Sequence, residues 1–228
     1  MSSAGSLPAV SSAVRDFLAR LARACPLDAA STPLPAESPA TLRAVSPDDD
    51  LPARFARSAE SAGCGVRRAG ADDWPAAIAE LLAAHSARRV LVEPQPGTAL
   101  TAERAALLQT ALRAAGVAVV TERDDETLFT VDAAVTGVQR AIAETGTLVC
   151  MSGAASARGA SLIPPVHIAL VSTDQLVADL FDLFEWLAER GALPANVNLI
   201  TGPSKTADIE GVLVTGVHGP GTVHIVLV

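Results

Sequence analysis

Residues 88–121, RRVLVEPQPGTALTAERAALLQTALRAAGVAVVT, read as one strand–helix–strand unit. The run at 88–92 is a short apolar strand. Residues 101–115 form a helix that ends at Gly116, a favourable residue just past a helix terminus, and 117–121 return as a second strand. Two strands joined by a helix must lie parallel, because the crossover carries the chain back to the starting end of the sheet. The same alternation extends upstream, with a helix near 51–62, a strand near 65–68 and a helix at 73–84. Downstream, strands are expected at 132–136, 146–151, 166–171, 196–200, 211–215 and 222–227. A long helix at 174–190 places Leu176, Leu180, Phe184 and Leu187 on one face and stops at Gly191. The last strands lack crossovers between them, so some antiparallel pairing is expected. The expected class is therefore α/β with a mixed, largely parallel sheet, and the closing run VHIVLV at 223–228 is expected to be an edge strand able to pair with another chain.

Ahead of this core, residues 11–23 space Val14, Phe17, Leu18 and Leu21 as one face of an amphipathic helix. From Cys25 to Pro52 the chain carries Pro33, Pro35, Pro39, Pro47 and Pro52 and the acidic run Asp48-Asp49-Asp50, which reads as an exposed connector. The expected division is residues 1–50, helix plus connector, and 51–228, one α/β domain. The opening helix is expected to pack on a partner or a second subunit. No internal repeat is visible.

The 228 residues are 50% hydrophobic, enough for one large core. A net charge of −8, with only 17 Lys and Arg, argues against nucleic acid, whose phosphates need clustered cations. No apolar run approaches the roughly 20 residues of a membrane helix, and the mean hydropathy of +0.35 reflects abundant alanine. The opening MSSAGSLPAVSSAVRDF has no cationic stretch followed by an apolar one, so the expected compartment is the cytoplasm. Cys25, Cys64 and Cys150 are widely spaced with no Cys-x-x-Cys, so no disulfide framework, iron–sulfur site or structural zinc site is written here.

Chemistry concentrates in three polar turns beside apolar runs. Glu144-Thr-Gly-Thr147 offers a carboxylate for nucleophilic or general-base work, two hydroxyls, and a glycine that lets a ligand approach the backbone. Thr201-Gly-Pro-Ser-Lys-Thr206 offers Ser204, Lys205 and Thr206, but it is no phosphate-binding P-loop: the earlier glycine is missing and Pro203 removes a donor. Thr206 or Asp208 reads as the cap of a short helical turn. Gly216-Val-His-Gly-Pro-Gly221 holds His218, an accessible imidazole flanked by glycines. His224 reads as a sheet-face residue and His85 as an ordinary helix-tail histidine. Asp208, Glu210 and His218 lack diagnostic metal spacing, so no metal is assigned. Arg158, in the small-residue loop 152–160, is a candidate clamp for a substrate carboxylate. Structural roles, as tight turns and solvated side chains, stand beside each of these readings.

The runs AETGTLVCMSG at 143–153, SLIPPVHIALV at 161–171 and ITGPSKTADIEGVLVTGVHGPGTVHIVLV at 200–228 resemble the LUD-domain family, in its lactate utilization branch. The resemblance covers roughly residues 60–228. It implies a three-layer α/β/α fold similar to ribose-5-phosphate isomerase, glucosamine-6-phosphate deaminase and coenzyme A transferases. It also implies a subunit of a system oxidising L-lactate to pyruvate, with no cofactor in this chain and iron–sulfur clusters in partner subunits. Positions matching the family are Glu144, Thr145, Gly146, Thr147, Arg158, Pro164, His167, Gly202, Ser204, Lys205, Thr206, Asp208, His218, Gly219 and Pro220. The resemblance assigns none of them a role; physical plausibility makes Glu144 and His218 the catalytic candidates, and Arg158 or Lys205 the carboxylate clamp.

Three functions compete. The first is a component of an L-lactate oxidising complex that binds the small carboxylate or its iron–sulfur partner subunits near the polar turns, with homo-oligomer formation also open. The second is an independent enzyme or sensor for an acyl, sugar-phosphate or coenzyme A ligand. The third is an assembly subunit with no site of its own.

Overall fold

The computed structural model describes residues 12–24, 43–122, 124–153, 158–190, 194–209 and 212–228. The chain divides into two units, residues 1–42 and 43–228. In the first, the expected amphipathic helix forms as α1 (Ser12–Ala24), with Phe17 and Leu21 exposed. Cys25 and most of the proline-rich connector lie outside the described residues.

The second unit opens with Arg43–Asp50, the end of the expected connector, which forms no helix or strand and is exposed except at Val45, yet is anchored to the domain. Val45 is buried in the core, Arg43 bridges Asp179 and Asp182 at 3.2 and 2.7 Å, and Asp50 caps α2 (Leu51–Ala62) by accepting from the Ala53 N–H. Then follow β1 (Gly65–Arg68), α3 (Trp74–Ala84), β2 (Arg89–Glu93), α4 (Ala102–Ala114) and β3 (Ala118–Val120). Thr101 caps α4 by accepting from Arg104 N. The chain continues through α5 (Asp125–Thr130), β4 (Ala133–Gly137), β5 (Arg140–Ile142), β6 (Thr147–Ser152) and β7 (Val166–Val171). It ends with β8 (Leu176–Val177), α6 (Leu180–Glu189), β9 (Asn196–Ile200), β10 (Lys205–Ile209), β11 (Val212–Thr215) and β12 (Thr222–Leu227).

Six strands form one sheet in the order β1-β12-β7-β4-β2-β3, and every pair in it is parallel. The alternation of β7 shows how it is buried on both faces. Val166, Ile168 and Leu170 join α3 and α4 residues such as Ile78, Leu82, Leu108 and Leu112 on one face. Ala169 and Val171 join Phe55 and Ala59 of α2 on the other. Each such fully buried Leu, Ile or Phe contributes about 1.5–3 kcal/mol. The second face is also covered by a smaller sheet, β8-β5-β6-β9, in which β5–β6 and β6–β9 are antiparallel. α6 packs outside that sheet through Leu183 and Leu187. The result is the expected α/β class, with a mixed second sheet standing partly in place of the second helical layer.

Three expectations are corrected. The helix read over 174–190 begins only at Leu180, because Asp179 caps it by accepting from Phe181 and Asp182 N–H groups; Leu176 sits in β8. Thr206 and Asp208 fall on β10, which pairs antiparallel with β11, so neither caps a helical turn. And β12 is no edge strand: it lies between β1 and β7.

Candidate functional site

The three polar turns meet beside the C-terminal half of α2. Thr145 and Thr147 share a hydrogen bond between hydroxyls at 2.6 Å, and Thr147 shares another with Thr201 at 2.6 Å. The Ser204 N–H donates to the Pro220 carbonyl and the Gly216 N–H to the Ser204 carbonyl, each at 2.9 Å. The first turn is thereby tied to the second, and the second to the third.

Glycine is needed here for packing. Gly146 has φ +68° and a Cβ on it would run into the backbone of Ala59; Gly202 has φ +82° and would meet the Ala62 carbonyl. The helix therefore rests directly on both turns. Lys205 Nζ donates to that same Ala62 carbonyl at 2.9 Å, satisfying a group that the end of a helix leaves open and placing a cation at its negative pole.

A cavity of about 430 Å³ opens between α2 and the first turn, lined by Arg54, Arg57, Ser58, Ser61, Glu144 and Thr145. Arg54 and Arg57 are three residues apart, so they share one helix face. The Arg54 Nε is buried with no hydrogen-bond partner among the described residues, a donor that costs free energy until something accepts from it. Ser58 donates to the Glu144 carbonyl at 3.0 Å and fixes the turn against the helix.

Of the residues singled out in the sequence, Glu144 and Thr145 line this cavity. Gly146, Thr147, Gly202, Ser204 and Gly219 build the turns beside it, Gly219 lying against the Ser204 side chain and the Leu162 carbonyl. Lys205 is engaged by α2, and Thr206 and Asp208 are in the β10–β11 hairpin. His218 is exposed and absent from the cavity wall. Arg158 is exposed at the start of a short 3₁₀ turn that packs on β4 and β6, again outside the cavity. Sequence reasoning missed Arg54 and Arg57. Their signal was the Arg-x-x-Arg spacing on an amphipathic helix, which reads equally as a solvated face.

Deeper in the sheet, His167 is completely buried on β7, its Nε2 2.9 Å from the Thr136 hydroxyl. Burial pushes its pKa down to about 4, so it is neutral near pH 7. Burial likewise raises the Cys150 thiol to about 12; a Ser161 hydrogen bond opposes that and the Glu93 charge adds to it. Cys150 is no nucleophile at neutral pH. Burial also raises the Cys64 thiol. His85 and His224 turn out to be partners, with Nε2 atoms 2.8 Å apart, and burial followed by the neighbouring imidazole lowers the His224 pKa. Among the described residues no three His, Cys, Asp or Glu side chains converge as a metal site. No described helix is long and apolar enough to cross a membrane.

The LUD domain family model matches residues 52–228. An uncharacterized protein of Neisseria meningitidis serogroup B, NMB1437, is 46% identical over 92 residues, 40% of this chain and 39% of that protein. Lactate utilization protein C of Halalkalibacterium halodurans is 40% identical over 93 residues, 39% of this chain and 40% of the relative. The protein of the same name from Bacillus subtilis is 38% identical over 91 residues, covering 38% of each chain. The aligned stretch thus spans about two fifths of these curated relatives. A crystal structure of a DUF162 family protein from Deinococcus radiodurans matches with TM-score 0.53 and 26% identity, covering 78% of this chain and 95% of that one.

Proposed function

This chain belongs to the LUD-domain family, and on that premise we propose that it acts in lactate utilization, binding a small 2-hydroxy carboxylate in the cavity beside α2. The observation that carries the reading is a cavity that presents Arg54 and Arg57 from one helix face beside Glu144. A guanidinium takes a carboxylate through two parallel N–H bonds, and a second guanidinium on the same helix face offsets the charge of Glu144. The Glu144 carboxylate is then the acceptor for the substrate hydroxyl proton.

Oxidation of a 2-hydroxy acid to the keto acid removes two electrons and two protons, so it needs an acceptor. Cys64 and Cys150 belong to no Cys-x-x-Cys run, and among the described residues no three His, Cys, Asp or Glu side chains converge, so the reading places no iron–sulfur cluster on them. The reading therefore gives the oxidant to partner subunits that carry such clusters, and gives this chain substrate binding and proton acceptance.

Calorimetric titration with L-lactate, D-lactate and pyruvate tests it. The expected result is L-lactate binding that weakens about tenfold or more in Arg54→Gln and also weakens in Glu144→Gln, while His218→Ala binds like the wild type. Absence of binding to all three would remove the substrate site from this chain.

A second reading, organisation of partner subunits, is favoured by the apolar strip along α6 and β9. Phe184 is 60% exposed and Leu199 46%, beside a groove of about 460 Å³ lined by Leu183, Leu187 and Val197. Such exposed apolar surface marks interaction sites. Phe184→Glu is expected to abolish co-purification with the partner subunits and to leave lactate binding intact; unchanged co-purification removes this reading.

A further inference from the structure

A second cavity lies at the other end of the molecule's logic, where the parallel sheet itself dictates a site. β2 and β4 run side by side, but they leave the sheet in opposite directions. β2 leads to α4, whose Leu108 and Leu112 pack on one face. β4 leads to β5, whose Ala141 packs on the other. This divergence opens a crevice at the carboxyl ends of the strands, the position where open α/β sheets hold ligands. The exits come very close: a Cβ on Gly137, the last residue of β4, would collide with the Thr98 side chain in the loop after β2.

The crevice holds about 400 Å³ and is lined by Gly97, Thr98, Arg104, Arg140, Ser172 and Asp174, among others. That is within the range of small-molecule sites and generous for a three-carbon acid. Its two guanidinium groups come from separate elements and are each held in place. Arg104 stacks on Trp74, 5.0 Å from the ring centroid, and donates Nη1 to the Ala99 carbonyl at 2.8 Å. Arg140 stacks on Trp186 at 4.1 Å and donates Nη1 to the Gln139 carbonyl at 2.7 Å. A guanidinium has five N–H donors, so one bond to a carbonyl leaves others for a ligand. A stacked, hydrogen-bonded arginine also loses little further freedom when it binds.

We propose that this crevice is a second ligand site, which takes a small phosphomonoester bearing hydroxyl groups. The phosphate lies between Arg104 and Arg140, and a ligand hydroxyl donates to the Asp174 carboxylate. Two guanidinium groups from separate elements match a dianion with three equivalent oxygens better than a monocarboxylate. Asp174 repels a bare anion and so requires a donor elsewhere on the ligand. The site is independent of the cavity beside α2 and shares no lining residue with it.

The chain's two tryptophans are the two rings beneath the crevice arginines, so intrinsic fluorescence reports on this site. The full chain is titrated with glycerol 3-phosphate, glucose 6-phosphate, glycerol, inorganic phosphate and L-lactate, with calorimetry in parallel. A saturable change in tryptophan emission with at least one of the two phosphomonoesters, and none with glycerol, is expected. Arg104→Gln and Arg140→Gln should each weaken binding about tenfold or more. Asp174→Asn, an exposed position, should weaken the ester and not inorganic phosphate, and Arg54→Gln should leave ester binding unchanged. Trp186→Phe should reduce the optical signal and keep the heat. Circular dichroism confirms that each variant is folded. No saturable binding of either ester, undiminished binding in Arg104→Gln/Arg140→Gln, displacement of the ester by L-lactate, or equal affinity for inorganic phosphate and ester would each overturn the proposal.

Discussion

The knot of turns beside α2 and the crevice between β2 and β4 are both polar, yet they are built in opposite ways. In the knot, short residues close on one another: hydroxyl bonds hydroxyl from Thr145 through Thr147 to Thr201, and two glycines admit a helix backbone. In the crevice, long cationic side chains stand on stacked rings around open space. The difference teaches that glycine- and threonine-rich turns, the most visible words of this sequence, answer a packing demand. The open cavities are lined instead by arginines that look unremarkable in the sequence. The cavity beside α2 repeats the lesson, since Arg54 and Arg57 supply its charge and the turn supplies only one rim.

This contrast can be broken. Gly146→Val should cause the largest loss, about 4 kcal/mol, because it adds left-handed strain to a collision with the backbone of α2. Urea denaturation checks this, with Gly116→Ala as a control at φ +80° and with open space around its Cβ; that change should cost about 1 kcal/mol. If Gly146→Val is as mild as the control, the knot is not a packing device.

Next in size is a pH effect from His167, which belongs to neither region and calibrates both. Its pKa is lowered in the fold to about 4, so the unfolded chain takes up the proton first. Stability is fully present above the unfolded pKa near 6.5 and is lost as pH falls from there through about 4. The loss amounts to about 3 kcal/mol. Thermal melts should show it, and His167→Gln should flatten that part of the profile.

Smaller still, Arg54→Gln should reduce lactate affinity by about 1.4 kcal/mol and leave the urea midpoint near that of the wild type. An unfolded Arg54→Gln would blur the distinction between packing and binding. The smallest effect is at Lys205→Met, where loss of the cation at the end of α2 should lower stability by about 0.5 kcal/mol, read from the same urea curves and diminishing with added salt.

Much of the fold could be read because long periodic segments speak for themselves. The units from Gly65 to Val120 fall where their helix ends and apolar runs place them. The misreadings came from short or ambiguous signals. Leu176 lies four residues before Leu180, so it mimics a helix face, although Asp179 is a cap and marks the true start. β5 and β8 have three and two residues, too few for any period to show. The strand at 222–227 has no local mark that separates an edge from a centre; only its pairing with Gly65–Arg68 and Val166–Val171 does. In the site, Glu144 and Thr145 were legible from the turn. Arg54, Arg57, Arg104 and Arg140 were not, because an arginine on a helix or at a strand end gains its role from what the fold brings opposite it.

The central place of β12 also governs when the molecule can come into being. A ribosome releases β1 and β7 long before it reaches β12, which must slot between them. Until then both inner edges carry unsatisfied main-chain groups and apolar faces, the condition that invites wrong partners. The sheet is therefore completed by a long-range closure, which is slow in proportion to its contact order. Proteins that shield nascent chains have most to gain during that wait, and any lesion that delays the final strand acts on yield before it acts on chemistry.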